Sequence, residues 1–256
     1  MRRMSDRLPQ LLDENPVLYG IIARDATPID IELFAQAGYH AIWLDAEHAP
    51  LNPAELAQTC RSVLHLGMVP FVRIVELNRT NVQILLDAGA GNLILPDVRT
   101  AAQAAELVRL GKFPPVGARG VSSTSAAFDY AIGNDVEQTL EQANRSTHLM
   151  VQVESDEGLA NLEAICALEE IDMVTVGPAD WPIGLGLHGP GKEPAMAKKI
   201  DAVLAQAQSA GMITADPKQA GDYIRRGVRI LFAGVDIGLK RGVYAAAISS
   251  LRMITS

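Results

Sequence analysis

Short apolar runs alternate with longer amphipathic ones along this chain, and most amphipathic runs stop at a glycine. Leu18 to Ala23 reads as a strand and Pro28 to Ala37 as a helix closed by Gly38. His40 to Asp45 is the next strand, and Pro53 to Leu66 the helix closed by Gly67. Val69 to Val72 with Asn78 to Ala88, then Asn92 to Leu95 with Ala101 to Leu110, repeat the pattern and end at Gly89 and Gly111. Proline suits a first helical turn and glycine a left-handed cap, so this punctuation marks starts and stops. Between Phe113 and Asn134 the rhythm breaks into an irregular insertion carrying Pro114, Pro115, Gly117 and Gly120. It resumes with strand His148 to Val153, helix Gly158 to Leu168 and strand Asp172 to Val176. A Gly/Pro-rich loop from Gly177 to Gly191 leads to a helix from Pro194 to Ala210. Strand Met212 to Thr214, helix Lys218 to Arg226, strand Arg229 to Phe232 and a helix from Ile237 onward complete the series.

Eight strands alternating with helices imply a parallel sheet, because parallel strands need crossover connections. A length of 256 residues suits one such unit. The expected fold is therefore α/β, a single (β/α)₈ TIM-type barrel over residues 1–256, with a doubly wound open sheet as the alternative. Composition narrows the partners. Lys and Arg number 22 against 30 Asp and Glu, a formal charge of −8, and no long basic run is present. That argues against nucleic acid and acidic membrane surfaces. No apolar stretch is long enough to span a membrane, and no apolar run follows the basic Met1 to Arg7, so a cytoplasmic protein is expected. Cys60 and Cys166 are expected to be buried thiols in a reducing compartment.

Barrels of this kind carry their working residues on the loops after the strands, which filters the polar residues. The second strand ends in Asp45-Ala46-Glu47-His48, the third in Arg73 and the fifth in Gln152-Val153-Glu154; Gly177-Pro178-Ala179-Asp180 follows the sixth. Gln152 and Glu154, two apart on a strand, point the same way. Glu154 and Asp180 converging at a barrel mouth would repel unless a proton or cation lay between them, and oxygen ligands suit a hard divalent ion. The plainer alternative is a Glu paired with a Lys and an Asp capping the next helix. Arg73 can meet an anionic substrate, or can form a salt bridge with Glu76 or another loop carboxylate. His48 is the best-placed imidazole for proton transfer, whereas His40, His65 and His148 occupy structural positions; His188 lies on a catalytic-side loop. Gly184-Leu185-Gly186-Leu187-His188-Gly189 matches a dinucleotide fingerprint literally, but it neither directly follows a strand nor opens a helix, so no nucleotide is expected.

Taken in order, these pieces resemble one family. Leu44-Asp45-Ala46-Glu47-His48-Ala49-Pro50 resembles the D-x-E-H-G-P segment of the HpcH/HpaI aldolases, the metal-dependent pyruvate aldolases. The likeness continues through Pro70-Phe71-Val72-Arg73, Leu86-Asp87-Ala88-Gly89-Ala90, Pro114-Pro115-Val116-Gly117-Ala118-Arg119-Gly120, Gln152-Val153-Glu154 and Val176-Gly177-Pro178-Ala179-Asp180, ending near Gly234-Val235-Asp236. It implies a (β/α)₈ barrel that reversibly cleaves a 4-hydroxy-2-oxo acid to pyruvate and an aldehyde through an enolate. By the resemblance, Glu154 and Asp180 hold Mg²⁺, Mn²⁺ or Co²⁺. Gln152, Gly177, Pro178 and Ala179 contact the 2-oxo acid, with Asp180 and Arg73 beside it, and Arg73 stabilises the enolate oxygen. His48 acts as base through water, with Asp87 raising its basicity and Asp45 in the same catalytic group. No lysine in this scheme stands at a strand exit beside the other groups, which disfavours a Schiff base.

The same core residues would serve an oxaloacetate decarboxylase or an acyl-CoA lyase, and a barrel that has lost its chemistry would be a ligand-binding protein. The resemblance also implies a homo-oligomer, a hexamer built as a trimer of dimers with the C-terminal helix exchanged. Val243, Ala246, Ala247, Leu251 and Ile254 would equally suit an ordinary eighth barrel helix. Four positions depart from the family pattern. Ala49 replaces Gly, Ser155 stands for Thr, and Trp181-Pro182 replaces Leu-Ser beside the metal Asp, where the added bulk bears on the aldehyde.

Overall fold

The strands β1 (Leu18–Ala23), β2 (Ala41–Asp45), β3 (Val69–Arg73), β4 (Asn92–Leu95), β5 (His148–Val153), β6 (Met173–Val176), β7 (Ala210–Ile213) and β8 (Ile230–Val235) pair in chain order and close into a barrel. Closure runs through parallel pairing of Leu18 with Ile230 and Gly20 with Phe232, which leaves no open edge and excludes the open sheet. The computed structural model describes residues 7–133, 135–177, 180–187, 192–207, 209–214 and 216–255.

Helix starts follow local chemistry. Thr27 caps α2 (Pro28–Gln36), Asn52 caps α3 (Pro53–His65) and Thr100 caps α5 (Ala101–Gly111), each exchanging bonds reciprocally with the residue three positions on. Every residue of β2, β3 and β4 is buried, as parallel strands covered on both faces must be. One apolar layer lies between sheet and helices, where Ile42, Leu44, Val72 and Leu93 meet Leu56, Val63, Val82 and Leu107. A second fills the barrel. Phe232 stands edge-on to Trp43, centroids 5.1 Å apart, and to Phe71 at 5.8 Å. Gly20 makes room for this plug, since a Cβ there would lie 2.6 Å from the Phe232 ring.

Several elements differ from expectation. α1 (Arg7–Glu14) precedes the first strand, and its Leu8 and Leu11 join the interior cluster. Arg7 donates to Gly67 O at 2.7 Å, and Arg229 donates to Pro16 O and Asn15 O, both at 2.9 Å, fastening α1 and the turn after it to the barrel's lower rim. The insertion contains α6 (Val136–Arg145), capped by Asp135. The helix expected over 158–168 is two, α7 (Asp156–Ala160) and α8 (Leu162–Cys166), broken at Asn161. The Asn161 amide donates to Arg99 O at 2.8 Å and Glu157 O at 3.1 Å, competing with the backbone ladder. α9 (Asp180–Gly184) interrupts the loop expected after β6. α10 (Lys192–Gln206) stops short of Ala210, because Ala210 and Gly211 pair with Val174 and Thr175 of β6; sheet pairing overrides alanine's helical preference. α4 (Arg79–Asp87), α11 (Pro217–Arg225) and α12 (Asp236–Thr255) complete the set, and α12 leaves Val243, Tyr244, Leu251 and Met253 exposed.

Cys60 is buried, which pushes its thiol up to about 12, whereas Cys166 is only half-buried; both are free. Among the described residues no helix is long and apolar enough to cross a membrane.

Candidate active site

The polar groups expected at the strand exits meet at the C-terminal mouth of the barrel. Asp45, the last residue of β2, is completely buried and takes a two-pronged grip from Arg73 at the end of β3. Nε donates to Oδ1 at 2.9 Å and Nη2 to Oδ2 at 2.6 Å. Arg24, just past β1, donates from Nε to the same Oδ2 at 2.7 Å, and the His48 backbone N–H donates to Oδ1 at 3.3 Å. Burial alone would raise the Asp45 carboxyl, but the two guanidiniums, Arg73 foremost, hold it below the usual carboxylate range. The planar fork of Arg73 is thus spent on Asp45 rather than on Glu76. Only its Nη1 faces the other exits, 2.9 Å from Glu47 Oε2 in an ionic contact and 3.4 Å from Gln152 Oε1 as donor. The Arg73 guanidinium carbon sits 5.5 Å above the Trp43 ring, so the aromatic plug forms the floor.

Gln152 and Glu154 project from β5 on one side, as their alternation requires. Gln152 Nε2 donates to Glu154 Oε2 at 2.8 Å, and the backbone N–H of Asp97 donates to Oε1 at 2.9 Å. Asp97 adopts a left-handed conformation at φ 45° to present that N–H, a backbone region in which Asp and Asn are enriched. Gly177 lies against the same carboxylate, where a Cβ would collide with Oε2 and stand 2.7 Å from Glu154 Cβ. Burial, joined by repulsion from Glu47 and Asp180, pushes the Glu154 carboxyl up to about 7, outweighing the Asp97 N–H and Arg73. Asp180 opens α9 on the rim and makes no hydrogen bond among the described residues; its Oδ2 is 4.0 Å from His48 Nε2, which is 3.7 Å from Glu47 Oε2. Glu47, His48, Asp97, Glu154, Asp180 and Trp181 line a cavity of about 440 Å³.

The charges at this mouth show what it can hold. Arg24 and Arg73 balance Asp45 and Glu47, which leaves Glu154 and Asp180 without a compensating cation among the described residues, a pair of carboxylates whose charge in the ionised form one divalent cation would neutralise. Oε2 of Glu47 is buried in its 2.9 Å ionic contact with Arg73, and Glu47 lines the same cavity. No group of three metal-ligating side chains is assembled among the described residues, so protein ligands alone leave coordination positions open. Such an open oxygen set suits a hard ion at a reactive centre better than a closed structural site.

Asp87 does not join this cluster. It ends α4, and a helix returning antiparallel to the strands delivers its C-terminus to the lower rim. There Asp87 accepts from Arg119 Nη2 at 2.8 Å and from Gln83 at 3.4 Å. Within one chain it therefore does not tune His48. Pro178, Ala179 and His188 lie outside the described residues. Gly184 closes α9 rather than opening a long helix, unlike a dinucleotide loop. Ser155 does the work expected of a Thr there, its hydroxyl accepting the Gly158 N–H at 3.1 Å to cap α7. Three contributors escaped the sequence reading. Arg24 and Asp97 stand at the exits of β1 and β4. The buried Asp236 opens α12 and accepts from the Arg24 and Asp25 backbone N–H groups, both at 3.1 Å. All three follow the C-terminal ends of strands, the same position that marks the other polar groups of the mouth.

Comparison with known proteins identifies the family. Residues 19–241 match the HpcH/HpaI aldolase/citrate lyase family. A hydroxypyruvate/pyruvate aldolase of Pseudomonas aeruginosa is 36% identical over 91% of this chain and 88% of its own length. A 2-keto-3-deoxy-L-rhamnonate aldolase of Salmonella gallinarum is 32% identical over the same shares, 91% and 88%. Among solved structures, an HpcH/HpaI aldolase/citrate lyase family protein of Burkholderia cenocepacia superposes with TM-score 0.86 at 31% identity, covering 96% of this chain and 99% of that one. The chain belongs to the HpcH/HpaI aldolase/citrate lyase family.

Proposed function

We propose that this barrel is a class II aldolase that reversibly cleaves a 4-hydroxy-2-oxo acid to pyruvate, or a close 2-oxo acid, and an aldehyde. The observation that carries the reading is the uncompensated pair Glu154 and Asp180 beside a guanidinium and an imidazole, in a chain whose relatives are pyruvate aldolases. Mg²⁺, Mn²⁺ or Co²⁺ held by Glu154 and Asp180 would supply Lewis acidity at the ketone oxygen of the bound 2-oxo acid. Gln152, buried and fixed between Arg73 and Glu154, orients the acid from below, together with the 177–180 segment. With Nε and Nη2 locked on Asp45, Arg73 keeps Nη1 beside Glu47 and Gln152 at the mouth, where its charge would meet a developing oxyanion without the fork reorganising.

His48 moves the proton. In cleavage its Nε2, through water, takes the C4-hydroxyl proton; the C3–C4 bond breaks, its electron pair passes into the enolate of the 2-oxo acid, and the aldehyde leaves. The returning proton, delivered to C3, makes the methyl group. A positioned base of this kind contributes roughly 10²–10⁴-fold. We assign the enzyme to the cytoplasm, in keeping with its free thiols, and propose a homo-oligomer, a hexamer associating through the exposed apolar residues of α12.

The test is exchange of pyruvate methyl protons in D₂O, followed by NMR, which needs no aldehyde. Metal-stripped enzyme should be inert and Mn²⁺, Co²⁺ or Mg²⁺ should restore exchange, whereas Glu154→Gln should stay inert and folded. Metal-independent exchange, or full exchange in the variant, would overturn the assignment.

A further inference from the structure

Asp180 is exposed, makes no hydrogen bond among the described residues and meets only His48 Nε2, at 4.0 Å, and yet must stand at a fixed place opposite Glu154. Its carboxylate cannot be held by its own contacts, so its backbone must be. The residue that follows it is Trp181, whose side chain is 2% exposed and whose indole N–H donates to Asp156 Oδ1 at 2.9 Å. Asp156 lies two residues after Glu154, at the start of α7. One hydrogen bond therefore joins the segment that carries Glu154 to the segment that carries Asp180. Lys199, from α10, closes the arrangement from outside: it forms an ion pair with Asp156 and its Nζ stands 5.1 Å over the Trp181 ring. The indole thus has a hydrogen-bond acceptor at its edge and a cation on its face, which fix both its position and its tilt.

We propose that Trp181, Asp156 and Lys199 form a clamp that sets the separation of Glu154 and Asp180, and that Trp181 is a positioning residue for the cation site. The proposal rests on the reading of those two carboxylates as the cation's ligands. Trp181 touches neither the cation nor the substrate in this scheme; it works through the backbone of its neighbour. The bulk that distinguishes this chain after the metal Asp then has a purpose. A tryptophan can reach across to the β5 exit and donate a hydrogen bond there, which a leucine cannot. Partners that orient metal ligands commonly govern affinity by about 10–100-fold.

The test is Mn²⁺ binding to the full chain by titration calorimetry, with thermal melting recorded beside it. Asp156 is mostly exposed, so Asp156→Ala removes the acceptor without opening the core. This variant should bind Mn²⁺ at least about tenfold more weakly while melting as the wild type does. Asp156→Asn, which keeps a carbonyl acceptor for the indole, should recover most of that loss. Trp181→Phe should lose as much as Asp156→Ala, and the double variant no more than either, because both remove one bond. Should Trp181→Phe not fold, Asp156→Ala and its rescue decide alone. Mn²⁺ affinity in Asp156→Ala equal to wild type, with Glu154→Gln defective, would overturn the clamp and spare the metal site. Parallel loss of melting temperature and affinity would reduce the clamp to ordinary core packing and overturn it. Wild-type protein that fails to bind Mn²⁺ would overturn both readings together.

Discussion

Gly177→Ala is a one-carbon perturbation of the site. The added Cβ would collide with Glu154 Oε2 and stand 2.7 Å from Glu154 Cβ and 2.8 Å from Gln152 Nε2, where ordinary contact begins at 3.4 Å. The carboxylate end of Glu154 can swing, but its Cβ is fixed to β5. The strand or the backbone at Gly177 must therefore yield by about 0.7 Å even after the side chain has moved. The swing breaks the 2.8 Å bond from Gln152 and the 2.9 Å bond from Asp97 that aim the carboxylate. Overpacking of this kind costs about 1–3 kcal/mol of stability. Misplacing a reacting group by about 1 Å costs on the order of 10²-fold in rate. The expected result is a folded variant with a lowered melting temperature and roughly 10²-fold slower metal-dependent exchange of pyruvate methyl protons. Exchange within a factor of about three of wild type (some 0.6 kcal/mol in barrier) would refute the argument that Gly177 is required by the closeness of Glu154.

Arg73→Lys should retain the fold and lose about 10²–10³ in kcat, since an ammonium cannot grip both Asp45 oxygens while keeping a donor on Gln152; near-normal turnover would make Arg73 a purely structural ion-pair partner. Asp45 gives a pH signature. Its folded-state carboxyl is held below the ordinary value near 3.8, so the stabilisation is fully present above that value and is lost as pH falls through the lowered one. Asp45→Asn should flatten the acid limb of a stability–pH curve measured by urea denaturation; an unchanged limb would show that the grip of the two guanidiniums contributes no net stability.

Strands were legible because each is a short apolar run cut off by a turn signal, and the limits of β1, β4 and β5 coincide with the runs that announce them. What misled was local preference set against pairing. Ala210 reads as helix by composition, but β6 recruits it as strand. The amphipathic run after Gly158 reads as continuous, but the Asn161 side chain breaks it with two hydrogen bonds of its own. At the site, Gln152, Glu154 and Asp180 were legible from their place at strand exits. The role of Asp45 was not: sequence shows that an acid is there, and only the fold shows two guanidiniums closing on it. Asp87 is a motif residue whose position on α4 carries it to the far rim of its own barrel, to Arg119.

The aromatic plug also bears on the order of events. Trp43, Phe71 and Phe232 fill the barrel beneath Arg73, and Leu8 and Leu11 of α1 stopper it below, so nothing passes through from the other end. The chamber is a cul-de-sac. Gln152 and Arg73, nearly sealed from solvent, lie beneath it, and His48 and Asp180 stand along its wall. With one doorway, occupants form a queue. On the proposed reading, a 2-oxo acid seated deepest would arrive before the aldehyde in synthesis and depart after it in cleavage.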